Sequence, residues 1–168
     1  VHDREFEIEL DGRVGAGFDE YLFYLFMQTV NRRNRDFNPA LSAVGLSIAE
    51  WRAMAVINRL DGCLMSELAE YTTVDRTTLT RIIDHLCAKG LTVRVASPQD
   101  RRQVRVELTA QGKIVIDQAV NALRTHNERA LRGLSEADLT TLRALLQRIL
   151  RNLIEKPEQF QKVLRFER

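Results

Sequence analysis

Val74-Asp75-Arg76-Thr77-Thr78-Leu79-Thr80-Arg81-Ile82-Ile83-Asp84-His85-Leu86-Cys87-Ala88-Lys89-Gly90 decides how this chain folds. Leu79, Ile82, Ile83 and Leu86 recur at i, i+3, i+4 and i+7, the spacing of one buried helical stripe. At about 100° per residue, Thr77, Arg81, Asp84 and Ala88 fall opposite that stripe, with Arg76, Thr78 and Thr80 flanking them near the N-terminal end. Asp75, or Thr73 two residues earlier, is placed to cap the helix, and Gly90 to end it in the left-handed conformation. The exposed face is short hydroxyls and two arginines. Such groups either form a solvated surface or read DNA: Thr bonds bases or phosphates and touches a thymine methyl, while Arg bonds guanine O6 and N7.

The segment after Gly90 favours DNA reading. Leu91, Val93 and Val95 alternate with Thr92, Arg94 and Ala96; Val104, Val106 and Leu108 alternate with Gln103, Arg105 and Glu107. Period two on both sides of a turn containing Pro98 predicts a β-hairpin with one apolar face, formed by those two apolar series. Its tip carries Asp100, Arg101 and Arg102. Arginine on a protruding hairpin suits the narrow, negative minor groove, and Asp100 makes sense as the acid that orients an arginine.

Charge is distributed to match. The whole chain is only +2, but Arg76 to Arg105 holds seven basic and two acidic residues, a local +5 that leaves the remainder at −3. The first twenty residues contain seven acids and two arginines. A basic island in a near-neutral chain is an electrostatic footprint.

These residues resemble the MarR family, the multiple-antibiotic-resistance type of winged-helix regulators. Asp100-Arg101-Arg102, the strand Val104 to Leu108, Thr109 and Gly112 match its wing signature. Ser66 to Tyr71, Asp75 to Arg81 and Lys89-Gly90-Leu91 look like its helix-turn-helix, and Leu134 to Leu139 with the leucine-rich helix beyond like its C-terminal dimerisation segment. The likeness spans roughly residues 18 to 155. It implies that Arg102 is the minor-groove arginine and Asp100 its orienting acid. Thr92 stands where the family shows an apolar residue.

The expected fold is α+β, mostly α: a winged helix-turn-helix with N- and C-terminal dimerisation helices. Residues 1–17 read as an acidic arm and 18–45 as a dimerisation helix and linker, the helix itself running from about Phe18 to Phe37. Residues 46–109 read as the DNA-binding domain, 110–155 as C-terminal helices and 156–168 as a tail. Ser47 with Glu50 is a capping box opening a nearly all-apolar helix to Leu60. Asp61-Gly62 is a turn, and a short helix covers Ser66 to Thr72. Thr109 caps a helix to about Arg132, and Ser135 opens the last. There Leu139, Leu142, Leu146, Ile149 and Leu153 are spaced 3, 4, 3, 4, an a/d seam. Left unpaired, this stripe and Leu22 and Leu25 of the apolar stretch Tyr21 to Met27 would expose a large patch. That favours a homodimer over packing within one chain, and a twofold dimer presents two reading helices to a pseudo-palindromic site.

Other chemistry is sparse. His2, His85 and His126 have no metal spacing, and no nucleophile motif or phosphate-binding glycine loop is present, so no enzyme, metal or cofactor is expected. Cys63 and Cys87 stand without a CxxC, as small core fillers or, alternatively, as a redox sensor; a reducing, cytoplasmic setting suits them. The longest apolar run, Tyr21 to Met27, is seven residues against the roughly 18 of a membrane span. Val1-His2-Asp3-Arg4-Glu5 does not read as a leader. A winged-helix module that binds protein is a third reading, opposed by the cationic tip.

Arg52 is the oddity, a cation in the most apolar helix beside Trp51. It either makes a structural salt bridge or faces an anionic ligand. The resemblance implies a pocket for phenolic or aromatic carboxylate compounds between the dimerisation helices and the winged-helix core; Phe18, Tyr21, Tyr24 and Trp51 are its expected walls, with Arg52 as counter-charge. Partners expected are therefore double-stranded DNA, a second copy of the chain and a small-molecule effector that releases a repressor.

Overall fold

The structure, a computed structural model, describes residues 18–72, 74–96 and 103–154, with the side chains of 18–20 left undescribed. The acidic arm, Thr73, the wing tip Asp100-Arg101-Arg102, the C-terminal tail and the Phe18 side chain lie outside the described residues. The element order is α1 (Phe18–Ala43), α2 (Ile48–Arg59), β1 (Cys63–Leu64), α3 (Met65–Thr72), α4 (Arg76–Ala88), β2 (Thr92–Ala96), β3 (Val104–Leu108), α5 (Ala110–Ala130) and α6 (Glu136–Leu153). The three strands form one antiparallel sheet in the order β1-β3-β2. This mostly helical architecture with a small sheet is the winged helix-turn-helix expected from the sequence.

Helix α2 is the central element. It starts at the predicted capping box, with the Ser47 hydroxyl accepting from the Glu50 N–H and the Glu50 carboxylate accepting from the Ser47 N–H. Its Ala53, Met54, Val56 and Ile57 are buried, and around them lie Phe37 and Leu41 of α1, Leu68 of α3, Leu79, Ile83 and Leu86 of α4, Val106 of β3 and Ile116 of α5. Each large side chain so buried contributes roughly 1.5–3 kcal/mol. Helix α6 contributes no buried residue.

Three details depart from the sequence reading. Helix α1 continues past Phe37 to Ala43 and carries Pro39 inside it. Proline removes one helical hydrogen bond, but Phe37 and Leu41 are both fully buried and hold the extra turn in place. Strand β1 is an addition to the expected elements. It has two residues, too few to show a period; Cys63 pairs with Val106 and Leu64 with Arg105.

The third departure is in the wing. Thr92 lies opposite Leu108, Arg94 opposite Val106 and Ala96 opposite Val104, so the apolar series of β3 shares its face with Thr92, Arg94 and Ala96. Val93 and Val95 sit on the other face with Glu107 and Arg105, and Val93 is 42% exposed. The expected single apolar face formed by both series is therefore corrected. Leu91 caused the misreading. Its N–H donates to the Leu86 carbonyl to close α4, behind Gly90 at φ 69°. Leu91 is buried as the hydrophobic residue of a helix C-cap, not as the first step of a strand, and β2 begins its own alternation at the buried Thr92.

Candidate functional site

Helix α4 is built to present its polar face. Asp75 is the N-cap, its carboxylate accepting from the Thr78 N–H at 2.9 Å. Leu79, Ile83 and Leu86 anchor the helix in the core, and Arg76, Thr77, Thr78, Thr80 and Arg81 are all exposed. The Asp75 carboxylate engages the Thr78 and Thr77 N–H groups, so the anion held at this helix start is the chain's own and the exposed side chains are what α4 offers outward. Two threonine hydroxyls are already engaged: Thr80 donates to the Arg76 carbonyl at 2.8 Å, and Thr78 bonds the Asp75 carboxylate.

The basic island is smaller than its residue count. Arg94 on β2 binds Asp84 of α4 at 2.6 Å. Arg105 bonds Glu107 and donates to the Asp61 carbonyl. Lys89 binds Glu50 at 2.6 Å. These three cations hold the structure together and leave Arg76 and Arg81 as the outward cations of α4. The Asp84–Arg94 bridge ties the wing to α4 and neutralises the one acid on the reading face. No sequence periodicity marks that pair, because it spans a helix and a strand.

Glu50 does double duty. One oxygen caps α2 at Ser47; the other accepts from Lys89 and lies 3.3 Å from His85 Nδ1, while Lys89 also donates to the Gly45 carbonyl. The carboxyl is almost fully buried. Burial alone would raise its pKa, but the Lys89 ammonium and the Ser47 donors outweigh that and hold it below the ordinary 4.5. The start of α2 and the end of α4 are thus fastened at one charge pair. Glu50→Gln should cost roughly 1–2 kcal/mol at neutral pH, discounted because Lys89 is part-exposed. A depressed folded pKa means that the stabilisation is present above the ordinary carboxylate value and is lost as pH falls through the folded one. Urea titrations should therefore show the wild-type advantage shrinking from about pH 4.5 downward; a gap independent of pH would deny the charge pair its role.

The expected effector residues are not brought together. Arg52 is exposed and donates to Asn34 Oδ1 at 3.3 Å, so it is not a buried cation. Tyr21 and Tyr24 stack on each other, are about half-exposed, and lie two or more helical turns from the Trp51 contact on α1. The part-buried cation beside Trp51 is Arg33. Its guanidinium sits 4.1 Å from the Phe37 ring centroid and 5.9 Å from that of Trp51, with Nε donating to Asn127 Oδ1 on α5. Burial, then the charge of Arg52, lowers its pKa. Beside it, the indole Nε1 of Trp51 is buried and has no partner among the described residues. An arginine four residues before a phenylalanine was the available signal.

The cysteines behave as packing groups. Burial pushes the Cys63 thiol up to about 12, leaving almost no thiolate near neutral pH. Cys87 Sγ rests 3.4 Å from the Thr92 hydroxyl.

The seam of α6 faces outward. Leu142, Leu145, Leu146, Leu150 and Leu153 are exposed, Leu139 and Ile149 half-buried. Leu22 and Phe26 of α1 border the same groove as Leu142, Leu146 and Ile149, and Leu25, Met27 and Val30 extend the apolar surface along α1. No single helix among the described residues is long and apolar enough to cross a membrane.

Known proteins share this architecture. A sequence profile of the MarR family matches residues 44–103, from just before α2 into the wing. The multiple antibiotic resistance protein MarR of Salmonella typhimurium is 30% identical over 131 residues, covering 77% of this chain and 88% of that protein. A MarR-family transcriptional regulator from Silicibacter pomeroyi superposes with a TM-score of 0.74 at 30% identity, over 83% of this chain and 94% of that one. A mutant of Escherichia coli MarR complexed with operator DNA gives 0.70 at 27% identity, over 79% and 97%.

Proposed function

This chain belongs to the MarR family of transcriptional regulators, and from that premise we propose that it works as a homodimeric repressor of a pseudo-palindromic operator, released by a small aromatic anion. The observation that carries the DNA reading is α4: a capped helix whose Arg76, Thr77, Thr78, Thr80 and Arg81 are exposed while its opposite face is locked in the core. Arg102 enters the minor groove and Asp100 and Arg101 serve it at the tip. The dimer reading rests on the unpaired apolar face of α1 and α6.

Binding to a selected palindromic duplex should saturate at one dimer and weaken steeply with salt, as counterions are released at several phosphates. Arg102→Ala should lower affinity and flatten that salt dependence. Asp100→Ala should lower affinity as well, although it removes a negative charge from the DNA side; tighter binding by that variant, measured by fluorescence anisotropy, would remove the orienting role.

The effector site follows Arg33 rather than Arg52. A guanidinium beside an unsatisfied indole N–H is a donor pair that a carboxylate accepts, and Phe37 and Trp51 supply aromatic walls. To reverse a 99:1 population the ligand must prefer the released state by about 5.5 kcal/mol. Among aromatic carboxylates, a binder should raise the melting temperature and release DNA together. Arg33→Gln should abolish that response while DNA binding persists, and Arg52→Leu should weaken it only slightly. The reverse ranking would return the site to Arg52.

A further inference from the structure

We propose that Thr80 and Thr77 divide the work of base recognition, Thr80 reading thymine through its methyl group and Thr77 supplying a hydroxyl. The proposal rests on α4 being the DNA reader. A threonine hydroxyl has one proton. That of Thr80 is given to the Arg76 carbonyl at 2.8 Å, one turn back along the same helix. With the proton committed, Thr80 cannot donate to guanine O6 or N7 or to thymine O4 without breaking a made bond. Its methyl remains on the exposed side chain as the group with which to meet a base.

Thr78 is engaged in the same way, to the N-cap carboxylate of Asp75. Thr77 differs: it is exposed and its hydroxyl has no partner among the described residues. It lies three residues before Thr80 and four before Arg81, so the three share one face of α4. The next residue along that face from Thr80 is Asp84, whose charge is matched by Arg94 at 2.6 Å. That pairing removes the repulsion an open carboxylate would direct at nearby phosphates. The face therefore offers, in order, a hydroxyl donor, a methyl and a neutralised acid, with Arg81 beside them. Thymine is the base whose major-groove edge carries a methyl.

The test uses the full chain and a duplex selected by it from a library of randomised palindromes. Each thymine of that duplex is replaced in turn by deoxyuridine, which removes only the methyl. At one symmetric position the replacement should weaken wild-type binding about three- to fivefold, the worth of burying a single methyl. Thr80→Val keeps the methyl and discards the hydroxyl. It should bind the thymine duplex as wild type does and keep the preference over uracil. Thr80→Ser keeps the hydroxyl and discards the methyl, and should bind both duplexes equally. Thr77→Val should weaken binding without changing the thymine preference. Circular dichroism melts of the three variants should match wild type, because all the altered groups are exposed. A Thr80→Val variant that loses the preference, or a Thr80→Ser variant that keeps it, overturns the methyl role of Thr80. A wild type indifferent to every uracil overturns it too. Failure of wild type to enrich any duplex is a distinct result: it overturns the DNA reading, and this proposal with it.

Discussion

Gly112→Ala is expected to be among the most damaging conservative changes available in this chain. Gly112 lies in the first turn of α5, where Thr109 caps the helix by accepting from the Gly112 N–H at 3.0 Å. A Cβ at that position would stand 2.0 Å from the Leu91 carbonyl oxygen, a backbone atom that cannot rotate away. The helix and the chain leaving α4 must separate, and that oxygen also accepts from the Thr109 N–H. Overpacking of this kind costs about 3 kcal/mol or more. In a chain of this size that is a fall of roughly 6–12 °C in melting temperature. Gly133→Ala is the control. Gly133 adopts φ 88° with nothing within 4 Å of the added carbon, so it incurs backbone strain alone, about 1–2 kcal/mol. Calorimetry should rank the two clearly; equal losses would show that the approach of α5 to Leu91 is not a tight one.

Leu146→Asp should be as damaging to function while sparing the core. Leu146 is 37% exposed, lies in the middle of the α6 seam and borders the groove against Leu22 and Phe26. A carboxylate there is harmless to a monomer and costs several kcal/mol in a dry interface. Sedimentation at micromolar concentration should show a dimer for wild type and a monomer for the variant. Affinity for a palindromic duplex should then fall by two or more orders of magnitude, because each half-site must be bound separately. A wild-type monomer, or a variant that stays dimeric and binds normally, would place the α6 seam elsewhere in the function.

How far the sequence could be read depends on where each signal resides. Helix α4 was the most legible element: its stripe and its Gly90 stop are local and the structure has both, and of the two cap candidates, Asp75 and Thr73, it uses Asp75. The wing was legible as two strands but not as two faces. Alternation specifies that side chains alternate, and the assignment of a face needs a register anchor; Leu91 supplied a false one because it belongs to the helix cap. Extension of α1 through Pro39 was hidden because burial of Phe37 and Leu41 is a tertiary fact that overrides a local breaker. Arg52 misled for a related reason: apolar neighbours in sequence say nothing about which side of α2 a residue takes. Arg33 is sheltered by Phe37, Trp51 and Asn127 from three helices, and only the first of these lies within sequence reach. Long-range ion pairs such as Glu50–Lys89 and Asp84–Arg94 have no sequence signature at all.

The fastening at the base of the wing has a consequence for how this architecture can vary. Thr109 gives its N–H to the Leu91 carbonyl and its hydroxyl proton to the Gly90 carbonyl, so the chain departs and returns through bonded neighbours. Beyond the buried Thr92 and Val106, the described rungs of the hairpin are held at its flanks, by the Arg94–Asp84 bridge on one side and, on the other, by Arg105, which pairs with Leu64 and donates to the Asp61 carbonyl. A loop with its two ends stitched together is a module. Rungs can be added or removed in pairs at its far end, shifting where its tip meets a duplex, while the interior is left unaware of the change. Wing length is therefore a parameter that natural variation or an engineer can adjust independently of the helix that reads the bases.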